Sequence, residues 1–240
     1  MKIVADAQEI TAAQGEVAPA AAGAPAHQVI YEALRALILF GELAPGEAVT
    51  IAGLSARMEA GITPVREAIR RLTAEGALAA LGNRRVIVPE LSAQNISEII
   101  YARQCLDPEL ARRATLRAKD ADIARLEVID TALDLAIMRG DQRQYLEQNY
   151  RFHACFYDLA GAPVLADMAR GLWLRFGPSL RVICGRLGTQ NLPDMHKSML
   201  AAMRAGDADA AAAAMREDVG QGMGHVAQSL EMPLLSKRFD

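Results

Sequence analysis

The sequence predicts a mainly α-helical protein in two parts: an N-terminal winged helix-turn-helix with a small β-hairpin, then an all-α helical bundle. Three observations carry this. Only 5% of the 240 residues are aromatic, while alanine and leucine are plentiful, which suits helices better than a sandwich or barrel. Amphipathic stripes at helical spacing recur along the chain after an Ala-rich start. Two short apolar runs, Leu78 to Leu81 and Val86 to Val88, flank Gly82-Asn83-Arg84-Arg85 and read as a hairpin with a cationic tip.

Composition bounds the function. With 52% hydrophobic and 23% charged residues the chain can bury a sizeable core. A net charge of −3 excludes a blanket attraction to nucleic acid, so any such contact must be local. Cys105, Cys155 and Cys184 form no CxxC and read as reduced core thiols. No signal sequence or membrane-spanning apolar run is visible, which places the expected protein in the cytoplasm with no membrane partner. The expected divisions are a disordered tail over 1–25, a winged helix over 26–91, a helical domain over 92–233 and a tail over 234–240.

Taken in order, Ile30, Leu34, Leu37 and Ile38 form the stripe of a first helix that Gly41 ends. After the turn Leu43 to Glu47, Thr50 caps a short helix from Ile51 to Met58. Thr63 is expected to N-cap the next helix, with Pro64 in its first turn, where a missing N–H costs nothing. Val65, Ala68, Ile69 and Leu72 make its buried face and Gly76 stops it. That leaves Arg66 and Arg70 one turn apart on the outer face, with Arg71 beside them. Forked cations at the outer end of a short helix suit a DNA major groove. Between His27 and Leu91 there are seven basic and seven acidic residues, but five of the basic ones lie between Thr63 and Arg85 against two acidic ones. The expected DNA contacts are Thr63, Arg66, Arg70 and the wing residues Arg84 and Arg85.

The run IYEALRALILFGELAPGEAV, followed by LSARM, TPVREAIRRLTAEGAL and GNRRVIV, resembles the DNA-binding domain of the GntR family of bacterial transcription regulators. The resemblance implies operator contacts by Arg66 and the wing arginines. Many relatives carry Ser-Arg just before the Thr-Pro, where this chain has Gly61 and Ile62, so a contact those relatives make is missing and their operator sequences do not transfer.

From Ser92 onward the chain reads as helical throughout. Ile96, Ile99 and Ile100 lie on a face that continues to Arg103 and Asp107, two charges on a core-facing stripe that must be paired or used. They either form a structural ion pair or serve a ligand, and Pro108 then kinks this helix or begins another, for which Asp107 would be the cap. Asp120 and Asp141 read as caps of the next two helices. In the second, Tyr145, Asn149, Phe152, His153 and Phe156 share an inward face. A helix with Trp173 and Arg175 follows and is interrupted at Pro178; Cys184 to Asn191 reads as a connection. His196 begins a helix that ends near Gly206, and the last helix carries Asp218 and His225.

This half resembles the ligand-sensing FCD domain of FadR-subfamily GntR regulators, through Arg103-x-x-x-Asp107, Asn149-Tyr-Arg-Phe-His153, His196 and Asp218 in AMREDV. The resemblance implies a divalent metal beneath an organic-acid effector, with an Asp and three His as the usual ligands. Here His153 and His196 match, Asn149 replaces the Asp, and Asp218 replaces the last His. His nitrogen and carboxylate oxygen suit Zn, Ni or Mn, and an Asn carbonyl can ligate weakly. The expected metal ligands are therefore Asn149, His153, His196 and Asp218, and the expected effector contacts Arg103, Asn149 and Arg175. The protein is expected to be a homodimer that binds an inverted-repeat operator on double-stranded DNA and answers a small organic acid. A rival reading makes the bundle a metal-dependent enzyme acting on a small carboxylate; no Ser-His or Cys-His pair, phosphate loop or HExxH supports it.

Overall fold

The computed structural model describes residues 25–82, 85–187 and 195–231, without the side chains of 183, 185–187, 225–226 and 228–231. Arg84 of the expected wing and the His225 side chain lie outside the described residues, as do residues 1–24 and 234–240 of the two expected tails. The N-terminal half consists of α1 (Ala26–Leu39), β1 (Ala48–Thr50), α2 (Ile51–Arg57), α3 (Ile62–Ala74), β2 (Ala79–Gly82) and β3 (Arg85–Ile87). The strands form an antiparallel sheet in the order β1-β3-β2. β1 is absent from the sequence reading, because three residues next to a turn show no resolvable alternation. The Thr50 hydroxyl accepts from the Gly53 N–H at 2.9 Å and caps α2 as expected.

The expected cap at Thr63 is displaced. Helix α3 begins at Ile62 with Gly61 in the N-cap position, so Thr63 sits exposed inside the first turn. Pro64 tolerates this, since first-turn N–H groups have no helical partner. Val65, Ala68, Ile69 and Leu72 are buried as the spacing predicts. The helix closes at Gly76, whose φ of +76° is open to glycine and strained for other residues.

The second half is a bundle of six helices among the described residues: α4 (Ala93–Arg117), α5 (Asp120–Arg139), α6 (Gln142–Leu159), α7 (Pro163–Leu187), α8 (His196–Ala205) and α9 (Ala208–Glu231). Ser92 caps α4 and Asp141 caps α6 through side-chain hydrogen bonds. Asp120 is the first residue of α5, and Lys119 holds the cap position, its N–H donating to Asp122. No new helix begins at Pro108, and the expected interruption at Pro178 does not occur. Pro108 lies inside α4 and Pro178 inside α7, and Cys184 is helical as well. A proline inside a helix costs about 3 kcal/mol. Burial of Ile96, Ile99, Leu110, Ala111 and Ala114 on one side of α4 exceeds that cost at about 1.5–3 kcal/mol for each large aliphatic.

The halves meet where α1 crosses α7. Gly177 approaches α1 so closely that an added Cβ would lie 2.4 Å from the Leu39 carbonyl oxygen. Arg143 of α6 pairs with Glu42 at 3.0 Å, and the Arg35 guanidinium donates to the Tyr150 hydroxyl at 3.4 Å.

Cys155 and Cys184 are core thiols, but Cys105 is exposed, because the α4 stripe does not include it. Burial pushes the Cys155 thiol up and Cys184 up to about 12, so both stay protonated at neutral pH. With a disulfide reagent at pH 8 the native protein is expected to release one equivalent of thiol rapidly, from Cys105, and two more only on unfolding. A Cys105→Ser variant that keeps the fast phase would contradict this.

Candidate functional site

Three helices bring buried polar side chains together inside the bundle. His153 comes from α6, His196 from the first residue of α8, and Asp218 from α9. His153 Nε2 lies 3.2 Å from Asp218 Oδ2, and His196 Nε2 lies 4.0 Å from Asp218 Oδ1. One donor atom from each residue falls within 4.8 Å of the others. The local sequence explains the convergence. His153 follows Phe152 on the buried side of α6, Gly206 ends α8 on a tight turn into α9, and Asp218 sits beside Met215 and Val219 of the α9 core face. Phe152 stacks on the His196 ring at 3.8 Å with an interplanar angle of 14°, which fixes the imidazole plane.

Burial pushes the Asp218 carboxyl up. The hydrogen bond from His153, the charges of both imidazoles and the Met195 N–H at 3.1 Å outweigh burial and hold it below the ordinary carboxylate range. Burial pushes His153 down and the Arg103 guanidinium adds to this, while the hydrogen bond to Asp218 and its charge oppose the shift. His153 Nδ1 is buried with no hydrogen-bond partner among the described residues.

These residues fit a divalent cation. Bonds of about 2.0–2.2 Å in a tetrahedral array place ligand atoms roughly 3.3–3.6 Å apart; the His153–Asp218 separation of 3.2 Å is close to that, and the set, spread within 4.8 Å, would draw together around an ion. Two neutral-capable imidazoles and a carboxylate held ionised are the donor chemistry of Zn, Ni or Mn. Asn149, half-buried, stands one turn before His153 on α6.

Arg103 and Asp107 form a buried ion pair: Nε and Nη2 both donate to Asp107 Oδ2, at 2.9 and 2.6 Å. The Tyr157 hydroxyl donates to the same oxygen at 3.1 Å and accepts from the Trp173 indole N–H at 2.8 Å. The guanidinium lies over the Trp173 and Phe176 rings, 4.6 and 4.7 Å from their centroids. Asp107 therefore neutralises Arg103 within the chain and is not a helix cap. Asp107 Oδ1 is left without a hydrogen-bond partner among the described residues.

Arg175 is not part of this cluster. Two residues beyond Trp173 places it on the far side of α7, where it is exposed and its Nε donates to the Glu75 carbonyl at the end of α3, at 3.4 Å. There it lines a cavity of about 180 Å³ between the halves, with Gly76, Val88, Pro89 and Ile99. Sequence reasoning missed Asp130, whose Oδ1 lies 3.3 Å from His196 Nδ1, and the Tyr157–Trp173 link. A signal for Asp130 existed: it continues the Ile123, Leu126, Leu133 stripe of α5, all of them buried.

On the outer face of α3, Thr63, Arg66 and Arg70 are exposed and line an open groove with His27 of α1. Arg70 is tied to Glu67 at 2.7 Å, and Arg71 to Glu75 at 3.1 Å while lying over the Tyr31 ring. Among the described residues no carboxylate pairs with Arg66 or with Arg85 of β3.

Residues 26–88 match the profile of bacterial regulatory proteins of the gntR family, and residues 98–221 that of the FCD domain. The HTH-type transcriptional regulator McbR of Escherichia coli K12 is 29% identical over 177 residues, covering 72% of this chain and 80% of that protein. The HTH-type transcriptional repressor GlaR of the same strain is 26% identical over 210 residues, covering 78% and 89%. The solved structure of E. coli McbR/YncC superposes with a TM-score of 0.81 at 26% identity, over 85% of this chain and 98% of that one. A putative GntR regulator from Rhodococcus sp. RHA1, at 18% identity, shares the fold with a TM-score of 0.69 over 85% and 98%. These relatives are transcription regulators rather than enzymes, which overrules the metalloenzyme reading. Among the described residues no helix is long and apolar enough to cross a membrane. The chain belongs to the GntR family of bacterial transcription regulators, with a DNA-binding helix-turn-helix domain joined to an FCD domain.

Proposed function

We propose that this regulator binds an inverted-repeat operator as a homodimer and that its FCD bundle senses a small organic acid through a divalent cation. The domains of that reading are the winged helix over 26–91 and the sensor over 92–233. The observation that carries it is the convergence of His153, His196 and Asp218 from three helices into one buried cluster. Those three side chains would hold Zn, Ni or Mn, with Asn149 as a weak fourth ligand. A bound cation supplies positive charge and open coordination positions to which a carboxylate can attach. Beside it, Arg103 and Asn149 would orient the effector, Arg103 through the N–H groups that Asp107 does not take. Arg175 is better read as a contact between the halves than as an effector contact.

Signal transfer would run along α7. Trp173 and Phe176 cover Arg103, Arg175 reaches the end of α3, and Gly177 presses on α1, all within five residues. A shift of Trp173 on effector binding would thereby move the helix that reads DNA. For a tenfold change in operator affinity the effector need distinguish the two states by only about 1.4 kcal/mol. Dimerisation is supported by the small surface of one reading helix. On the outer side of α5, Val128 and Leu135 are exposed apolar residues two turns apart that a second copy would cover. A single species of monomer mass in light scattering, bound singly to its operator, would refute the dimer.

Metal analysis of protein purified without an affinity tag is expected to find a divalent ion, and a panel of small mono- and dicarboxylates to contain one that alters operator binding. His153→Ala with His196→Ala should lose both. A metal-free wild type that responds fully would defeat the sensor reading and leave DNA binding intact.

In the reading helix, Arg66 is exposed and unpaired while Arg70 is engaged by Glu67. Arg66→Ala is expected to cost about 1–3 kcal/mol of operator affinity if it reads a base. Arg70→Ala should cost less. Anisotropy titrations in which Arg70 proves the more costly of the two would reverse the assignment.

Arg175→Ala should still bind operator but lose most of the effector response. An undiminished response would remove α7 from the signalling route.

A further inference from the structure

Asp130 is unexplained by anything above. It projects from α5 into the bundle with 6% of its surface exposed, whereas the next residue, Thr131, is exposed. Its Oδ1 lies 3.3 Å from His196 Nδ1, on the opposite edge of the imidazole from the Asp218 contact at Nε2. Its Oδ2 lies 3.4 Å from Lys197 Nζ, which also binds Asp134 at 2.8 Å. The lysine compensates the carboxylate's charge from outside, so Asp130 faces His196 as an acceptor.

We propose that Asp130 is a positioning residue for the cluster: it holds the His196 proton on Nδ1 and so directs the Nε2 lone pair toward Asp218 and His153. A neutral imidazole has one N–H and one lone pair, and the partner of one nitrogen decides which nitrogen is free to ligate. In water the Nε2–H form is the commoner, and it would present a proton to the cluster. A carboxylate at Nδ1 reverses that preference and raises the basicity of the other nitrogen. The Phe152 ring stacked on His196 fixes the plane of the imidazole, and Asp130 fixes which edge carries the proton. The purpose assigned to this device rests on reading the cluster as a divalent-cation site; the tautomer itself does not.

The experiment uses full-length, tag-free protein as wild type, Asp130→Asn, Asp130→Ala and Lys197→Met. Imidazole nitrogen-15 shifts of histidine-labelled metal-free protein at pH 8, with the His196 signals assigned by His196→Gln, report the tautomer. Competition against a chelator with Zn(II) alone reports affinity. Wild type is expected to show His196 protonated on Nδ1. Both Asp130 variants should lose that signature and bind Zn(II) about 10–100-fold more weakly. Asp130→Asn keeps the side-chain size, so its loss would not be a packing effect. Lys197→Met, which leaves the carboxylate in place, should keep the Nδ1-protonated signature and lose far less Zn(II) affinity than either Asp130 variant. An unchanged tautomer in Asp130→Asn, or equal Zn(II) affinity in wild type and both Asp130 variants, would overturn the proposal. So would an equal loss in Lys197→Met, which would make the effect one of general charge. If wild type binds no Zn(II), the metal reading falls, and the nitrogen-15 signature alone decides whether Asp130 sets the tautomer.

Discussion

Charge taken out of water must be matched inside the bundle, and the arrangement of the FCD domain follows from that. Arg103, Asp107, Asp130, His153, His196 and Asp218 are all buried, and they come from five different helices. Any one of them stranded would cost several kcal/mol, and breaking a buried pair by removing one partner costs about 3–5 kcal/mol. The chain meets the requirement twice, with Asp107 beneath Arg103 and Asp218 between the two imidazoles. The first match lies within α4, one turn apart, whereas the second joins α6, α8 and α9 and so aligns the bundle, while the surrounding Leu, Ile and Phe side chains supply the larger burial energy. The orphaned Asp107 Oδ1 and His153 Nδ1 show the matching to be incomplete within the described residues.

Helix α7 is where this constraint reaches the DNA-binding half. Its inward side carries Trp173, whose indole N–H bonds Tyr157 and whose ring covers Arg103; its outward side carries Arg175 against the end of α3. A second aromatic route parallels it, from Trp173 to Tyr150 at 5.4 Å and from Tyr150 to Phe40 at 6.1 Å, edge to face in both cases. Residues serving the polar cluster and residues serving the joint therefore alternate along a single helix.

Most of the DNA-binding half was legible in the sequence, because short amphipathic helices closed by glycines announce themselves through the 3.6-residue period. What escaped was what periodicity does not encode. The strand Ala48–Thr50 is too short to alternate, and the first residue of α3 was decided by Pro64's indifference to a missing N–H rather than by Thr63's capacity to cap. In the bundle, the inward faces of His153, His196 and Asp218 were readable, and the structure brings them together. The identity of Arg103's partner was left as a choice between an ion pair and a ligand contact, and the i, i+4 geometry of an unbroken α4 decides for Asp107. Arg175 was grouped with Trp173 by proximity in sequence, yet two residues along a helix is more than half a turn. Asp130 was overlooked although it stands in register with buried leucines.

The two prolines inside unbroken helices bear on mechanics. Pro108 removes the hydrogen bond that the Gln104 carbonyl would accept, and Pro178 does the same for Leu174, next to Arg103 and Trp173 respectively. In α4 and α7 the backbone is thus least stiff at the level where the charged pair and the indole lie. A rod weakened at one height bends there and swings its ends, so a load placed on the cluster would meet both helices at the level where each lacks one backbone hydrogen bond.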